Sequence, residues 1–404
     1  MWRPWKKVFH GVVWLVLLGS AQSSFLLSHR ERKETICRFD AFQNGIANGR
    51  GVDATSDNVV FRSNGVLVVQ DESVRRMVFL RQNQDDVYCH EQAQVDCVNA
   101  DAQSRLDVVS SSPSSPSLEQ LKLTGNLRAW LTGLQIHGGH QELACADLAP
   151  CTPAAKPALA YIRSMIGGAL ATKLSTLSPR ILSIGLGAAT IPSWFSHAMP
   201  SASIDAVDIS NDVVAAASCF GLQPSASVQL VQQDGREYAN SQPDNTYDIV
   251  FVDAFDNNNN IPGCLSTVEF MELIRRKLRP GGVLSMNVWD KDLTDLYSSV
   301  HDAFATQVLI GTSPGEGNLI LLATKDDITM QSSSMISMVE TNQGLSRMHN
   351  RQLGTELEQA ASWAYEAQFG KADFPLVEGL RARGVHFRTS GVKGKRDAES
   401  CRRS

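Results

Sequence analysis

Four acidic residues and a pair of glycines carry the chemistry available to this chain. Gly185 and Gly187 lie in Gly-Leu-Gly-Ala-Ala, directly after the apolar run Arg180-Ile-Leu-Ser-Ile. Glycine lets a backbone approach a ligand closely, and a helix that follows aims its free N–H groups at it. Asp208 comes 21 residues after Gly187, at the end of a second apolar run, with Ile209 beside it. An acid at that separation can accept both hydroxyls of a ribose. Asp234-Gly235 follows a third apolar run, and Asp253 ends the run Tyr247-Asp-Ile-Val-Phe-Val. A carboxylate at a strand end can strip a proton from an amine and steady the charge of a displacement. Asp256 is a second carboxylate for the amine; standing before Asn257–Asn260, it reads equally as a turn former.

These residues need a scaffold, and the hydrophobic pattern supplies one. Strands are expected near 180–185, 203–208, 227–232, 247–252 and 282–288, with helices near 189–198, 210–220, 266–278 and 292–304. A closing strand pair follows at 308–311 and 318–323. Such alternation predicts an α/β domain over 151–330, a parallel sheet with helices on both faces. Ligands bind these sheets at the carboxyl ends of the strands, where Gly187, Asp208, Asp234 and Asp253 all fall. Residues 157–174 have helical apolar spacing and lead into the first core strand. Upstream, 52–150 reads as a small antiparallel β module, with strand-like runs at 65–69, 74–80 and 133–137 and a Ser/Pro-rich loop at 110–117. Residues 22–51 are expected to be a flexible lead-in. Residues 331–404 are expected to hold a helix over 352–369 and a disordered basic tail with Lys393, Lys395, Arg396, Arg402 and Arg403.

The net charge of −5 and pI near 6.0 argue against a broad nucleic-acid-binding face. Arg3, Lys6 and Lys7 precede the short apolar run Val12–Leu18 and the small residues Gly19-Ser-Ala21. That order predicts a signal peptide over 1–21 and entry into the secretory pathway; a retained anchor or organelle import is the weaker reading. No Asn-x-Ser/Thr sequon occurs. All eight cysteines lie beyond Ala21, so disulfides are expected in the β module, where Cys89/Cys97 and Cys145/Cys151 sit. Cys219 and Cys264 read as ordinary buried or loop thiols. Cys89-His90-Glu91 with Cys97 lacks a second ligand pair of conventional spacing, so no metal is expected. Tyr161, Phe195 and Trp289 are candidate pocket walls, whereas His90, His137 and His140 read as surface or β-module residues.

In this order the motifs resemble the spermidine synthase-like proteins of the class I S-adenosylmethionine-dependent methyltransferase superfamily. The resemblance covers roughly 155–325 and rests on Gly185-Leu-Gly187, Val207-Asp208, Asp234-Gly235, Tyr247-Asp248, Asp253, Ile261-Pro262, Thr267-Val-Glu269-Phe270 and Leu278-Arg-Pro-Gly-Gly. It implies a Rossmann-like fold with a mostly parallel seven-stranded sheet, and a donor that is S-adenosylmethionine or its decarboxylated form. Gly185, Gly187, Asp208, Ile209, Asp234 and Gly235 would hold that donor, and Asp253 with Asp256 would serve a small acceptor, an amine among the candidates. The family commonly pairs, so a homodimer is the assembly to look for.

Three departures redirect the reading. Ala188 stands where aminopropyltransferases carry an Asp for the donor's ammonium. Tyr161 is followed by Ile162-Arg163 rather than His-Glu, and Asp253-Ala-Phe-Asp256 replaces Asp-Ser-x-Asp-Pro. A buried Asp would repel the carboxylate of ordinary S-adenosylmethionine and an Ala tolerates it. The expected function is therefore methyl transfer to a small acceptor with Asp253 as base. The alternatives are aminopropyl transfer from the decarboxylated donor, and a non-catalytic secretory-pathway protein that keeps the fold.

Overall fold

The computed structural model describes residues 35–43, 46–55, 58–63, 65–82, 87–97, 145, 151, 153–154, 156–172, 178–256, 260–289, 292–305, 308–326, 359–360, 362–364, 366–367 and 369–371. The expected strand at 133–137, the loop at 110–117, His137, His140, the signal segment and the basic tail lie outside them.

Strands β1 (Thr35–Gln43) and β2 (Ile46–Thr55) form an antiparallel pair. This corrects the expectation of a flexible lead-in to residue 51: Cys37, Phe39, Val52 and Ala54 alternate inward, and a disulfide from Cys37 ties the pair down. A four-stranded antiparallel sheet follows in chain order: β3 (Val59–Arg62), β4 (Val66–Asp71), β5 (Val74–Gln82) and β6 (Val87–Asp96). Its side chains divide by the period of two of a strand. Leu67, Val69 and Val78 pack with the β1–β2 pair, while Val66, Val68, Met77, Ala93 and Val95 join the core shared with the α/β domain. The β module is thus a two-sided wedge, and β6 is the strand it turns toward the site.

The main sheet runs β14-β12-β13-β11-β10-β7-β8-β9. Its strands are β7 (Arg180–Ile184), β8 (Ser203–Asp208), β9 (Val228–Gln232), β10 (Tyr247–Val252), β11 (Leu278–Trp289), β12 (Val308–Thr312), β13 (Asn318–Thr324) and the two-residue edge strand β14 (Gly370–Lys371). Pairing is parallel from β9 to β11; β13 is antiparallel to both β11 and β12. Helices cover both faces: α1 (Ala160–Thr172), α2 (Thr190–Ala198), α3 (Asn211–Ala216), α4 (Gly235–Ser241), α5 (Val268–Lys277) and α6 (Leu293–Phe304). Ile249 and Phe251 bury into one layer, Val250 and Val252 into the other. This is the expected α/β fold with its β module in front.

Local chemistry sets the helix starts. The hydroxyls of Ser210 and Thr267 accept from Val213 N (3.4 Å) and Phe270 N (3.3 Å), capping α3 and α5. Helix α4 was not expected from apolar spacing. Its signal lay in Asp234-Gly-Arg-Glu237, an N-cap acid followed three residues later by Glu. The predicted helix at 210–220 is α3 plus a 3₁₀ turn at Ala217–Phe220, ended by Gly221 at φ 83°. Residues at 359–360, 362–364 and 366 are helical, and Trp363 packs edge-on against Trp194.

Two family-motif residues build the sheet rather than the site. The Tyr247 hydroxyl donates to Asp205 at 2.6 Å, and Asp248 accepts from Arg180 N at 2.8 Å and from the Arg279 guanidinium at 2.6 Å. They lie at the opposite end of β10 from Asp253.

Candidate active site

The order of the sheet reverses at β7, whose neighbours are β8 and β10, and this opens a crevice at their carboxyl ends. Two adjoining cavities occupy it, of about 300 and 290 Å³. Gln92, Gly185, Gly187, Asp253 and Phe255 line both, so the two meet around the glycine turn and the end of β10.

The first cavity gathers the residues expected to hold a nucleoside: Gly185, Gly187, Asp208, Ile209, Asp234 and Gly235. Gly185 has φ 86°, and a Cβ there would run into the carbonyl of Asp253. That close approach is what the glycine is for. Gly185→Ala is expected to destabilise the fold by about 1–3 kcal/mol and to remove donor binding; calorimetry showing unchanged affinity would refute the assignment of this turn. Gly187 has φ 48° and packs under Ala93 of β6.

Asp208 accepts from Leu186 N at 2.9 Å and from Ser210 N at 2.8 Å. Its carboxylate therefore shapes the glycine turn while facing the cavity. Burial raises its pKa, and the backbone N–H donors oppose that rise. Ile209 is an exposed large apolar side chain, 43% accessible, at the cavity wall, where the face of a base would cover it. Asp234 caps α4 by accepting from Arg236 N (2.8 Å) and Glu237 N (3.0 Å) through Oδ1. Its Oδ2 is buried with no hydrogen-bond partner. An unsatisfied buried acceptor costs about 1–3 kcal/mol, and an adenine amine is the donor such a position suits. The residues present thus fit a nucleoside: a diol acceptor, a base acceptor, an apolar platform and a close backbone.

The second cavity is walled by β6 (His90 to Gln94), by Leu159, Tyr161 and Ile162, by Leu186 to Ala188, and by Asn287, Trp289 and Asn318. Asp253 stands between the cavities. Its N–H donates to Ile184 O at 2.9 Å, which fixes the strand end. Asn287 Nδ2 donates to its Oδ1 at 2.9 Å, and the nearby Tyr161 hydroxyl also favours its ionised form. Burial outweighs both and pushes its pKa up to about 6. Burial, together with the nearby Asp253 and Glu316, pushes Tyr161 far above its ordinary range, so it stays protonated. The arrangement is a buried carboxylate with a raised pKa, held by the Asn287 amide and with the neutral Tyr161 hydroxyl nearby, beside a cavity. It can take a proton from an entering ammonium.

Other expectations are placed differently. Asp256 lines the first cavity, and its carboxylate closes the 256–260 loop by accepting from Asn260 N at 2.8 Å. Tyr161 and Trp289 wall the second cavity, but Phe195 is fully buried core against Trp194 and Phe251. His90 lies on β6 of the β module, as expected, and also lines the second cavity. Cys89 and Cys97 are not ligands; they pair with Cys37 and Cys151. Cys219 pairs with Cys145, and Cys264 is also disulfide-bonded, so neither is the free thiol expected. Gln92 and Asn287 were missed because an amide carries no distinctive spacing signal.

Residues 181–282 match the family described as a methyltransferase domain. The chain is 31% identical over 169 residues to the polyamine aminopropyltransferase of Chromobacterium violaceum, covering 41% of this chain and 63% of that protein. It is 29% identical over 169 residues to the polyamine aminopropyltransferase of Neisseria meningitidis, again covering 41% and 63%. It thus spans under two thirds of these relatives' length. A crystal structure described as a probable spermidine synthase from Corynebacterium glutamicum aligns with TM-score 0.46 at 16% identity, over 81% of this chain and 96% of that one. The sheet order, the glycine turn and the acids at the strand ends define a class I S-adenosylmethionine-dependent methyltransferase fold. Over the 169 matched residues the chain is similar to polyamine aminopropyltransferases.

Proposed function

We propose that this protein is a transferase that moves an alkyl group from a sulfonium nucleoside in the first cavity to a small amine in the second, with Asp253 as base. The observation that carries this reading is the charge of the lining. Glu91, Asp208, Asp212, Asp234, Asp253 and Asp256 border the two cavities, and no Lys or Arg is among their described lining residues. Arg76 lies behind this wall, in an ion pair with Glu91 at 2.8 Å. A sulfonium, an aminopropyl ammonium and a polyamine are all cations and suit this surroundings. A donor carboxylate does not: two like charges about 5 Å apart repel by about 3 kcal/mol at an effective dielectric of 20.

Aminopropyl transfer from decarboxylated S-adenosylmethionine is accordingly the finer reading, and the names of the curated relatives support it. The acceptor ammonium gives its proton to Asp253; the freed amine attacks the carbon beside sulfur. The new C–N bond forms as the C–S bond breaks, and its electron pair returns to sulfur as a neutral thioether. Methyl transfer from ordinary S-adenosylmethionine remains as a second reading because Ala188, buried beside the glycine turn, offers no acid for the donor's ammonium.

Parallel calorimetric titration with the two donors decides between them. The decarboxylated donor is expected to bind at least about tenfold more tightly, the equivalent of ~1.4 kcal/mol. Preference for the ordinary donor would establish methyl transfer, and binding of neither would leave a non-catalytic protein. The proposal extends to location and assembly. The signal-like N-terminus and the paired cysteines support an oxidising lumen or the exterior, and a homodimer follows the family habit.

A further inference from the structure

One tight turn reaches both neighbours, Asn287 and Tyr161, that favour the ionised Asp253 carboxylate. It links β12 to β13 and is braced by Glu316 N donating to Ser313 O at 3.2 Å and Ser313 Oγ donating to Glu316 Oε2 at 2.6 Å. From this turn Glu316 accepts from Ala160 N at 2.8 Å and from Tyr161 N at 2.7 Å. It therefore caps α1, which has no acid of its own in its first turn, from more than 150 residues away in sequence. Capping at the Tyr161 N–H fixes the backbone that carries the Tyr161 side chain into the cavity it shares with Asp253. Two residues beyond Glu316, Asn318 Nδ2 donates to Asn287 Oδ1 at 3.0 Å, and Asn287 Nδ2 donates to Asp253 Oδ1 at 2.9 Å.

Direction gives this second chain its meaning. An ionised carboxylate only accepts, so Asn287 must present its NH₂ to Asp253 and its oxygen to the other side. That oxygen meets the NH₂ of Asn318, and the orientation of each amide is set by the one before it. Asn287 and Asn318 are 2% and 5% accessible, so water does not substitute freely for either. With Asn318 removed, only the carboxylate itself orients Asn287, and the Asn287 oxygen loses its buried donor. Apolar side chains would fill the same volume at less cost, which makes a buried two-amide relay a poor choice for packing alone.

We propose that the Ser313–Asn318 turn is the positioning element of the site, with Glu316 acting through Tyr161 and Asn318 acting through Asn287 to fix the orientation and basicity of the Asp253 carboxylate. Neither residue is a catalytic residue. The inference deepens the proposed function and rests on Asp253 being the base in it. Charged and titratable groups around Asp253 come from every neighbouring element. Tyr161 and Arg163 lie on α1, Glu316 on the turn, His90 and Glu91 on β6, Asp256 on the following loop, and Asp208 and Asp234 on the nucleoside side. Asn318 is uncharged, so removing it alters Asp253 through hydrogen bonding and not through the net charge of this set.

The test is carbon-13 NMR titration of the full chain labelled at aspartate carboxyl carbons, with the Asp253 signal assigned from its loss in Asp253→Asn. Asn318→Ala weakens a donor to the ionised form, and Glu316→Asp shortens the cap on α1 while keeping its charge. Each is expected to move the Asp253 midpoint upward by about half a unit or more. The acid limb of turnover should move with it, and donor affinity should stay within about twofold. Midpoints that stay at the wild-type value in folded variants would overturn the inference. If Asn318→Ala does not fold, Asn318→Ser is read in the same titration. A wild type that turns over neither donor would defeat the proposed function, while the midpoints would still decide the role of the turn.

Discussion

Asp253→Asn is expected to abolish turnover while leaving donor binding within a few-fold of wild type. General-base catalysis contributes about 10²- to 10⁴-fold, and an amide at this position cannot take the acceptor's proton. The same variant should change stability in a direction that a structural role would not predict. In the folded protein the Asp253 pKa stands at about 6 against an ordinary 3.8, raised chiefly by burial. Its protonated form is therefore the one the fold favours. Below pH 4 the group is neutral in both states and imposes no penalty. As pH rises through 6 the folded protein must hold a buried charge, and stability is lost by up to about 3 kcal/mol. An asparagine never ionises, so its melting temperature should gain on wild type between pH 4 and pH 7 and then hold the difference. Turnover of the wild type should rise over the same interval. Thermal melts at pH 4.5, 6 and 8, with product analysis at each, check both halves. Retained turnover would remove Asp253 from the mechanism, and a melting difference independent of pH would remove the burial argument.

That Asp253 was legible at all follows from its place in a regular element. Strand β10 carries six consecutive buried residues, and the acid at its end stands out against them. Asp208 and Asp234 were legible for the same reason, and the structure brings all three to one crevice. What sequence did not disclose is long-range by nature. Asn287 and Asn318 acquire meaning only when the antiparallel register of β11 and β13 sets them near each other, with Trp289 opposite Asn318 and Asn287 opposite Ile320. Glu316 caps a helix that precedes it by more than 150 residues. Asp256 illustrates the opposite difficulty, since its spacing served a turn and a site equally well and the contacts favour the turn. The β1–β2 pair was hidden because residues 22–51 are polar on average, while the alternation of Cys37 and Phe39 that builds a half-buried strand is short.

The cysteines are the clearest case of pairing that spacing cannot reveal, and they lead to the second large effect. Neighbours in sequence do not pair: Cys97 joins Cys151, and Cys145 joins Cys219. The first bond ties the end of β6 to the segment entering α1, where Ala154 N also donates to Asp96 O at 2.9 Å. The second anchors residue 145 to the 3₁₀ turn after α3, and Arg75 of β5 donates to the Cys219 carbonyl at 2.6 Å. Both bonds cross or flank the junction between the β module and the α/β domain. The nucleoside cavity is built on that junction: Gly65, Phe79, Leu80 and Gln92 come from the module, Asp208 and Asp234 from the other side. Reduction, or the paired change Cys97→Ser with Cys151→Ser, is expected to cost about 2–4 kcal/mol of stability. It should also weaken donor binding by more than tenfold, because a module free to lift takes β6 away from the glycine turn. Replacing Cys37 and Cys89 by Ser offers the control, since that bond lies within the module and away from the junction. It should lower the melting temperature with far less effect on affinity. Equal losses of affinity in the two double variants would show that global stability, not the junction, governs the site. Unchanged affinity under full reduction would show that buried apolar contacts alone hold the module in place.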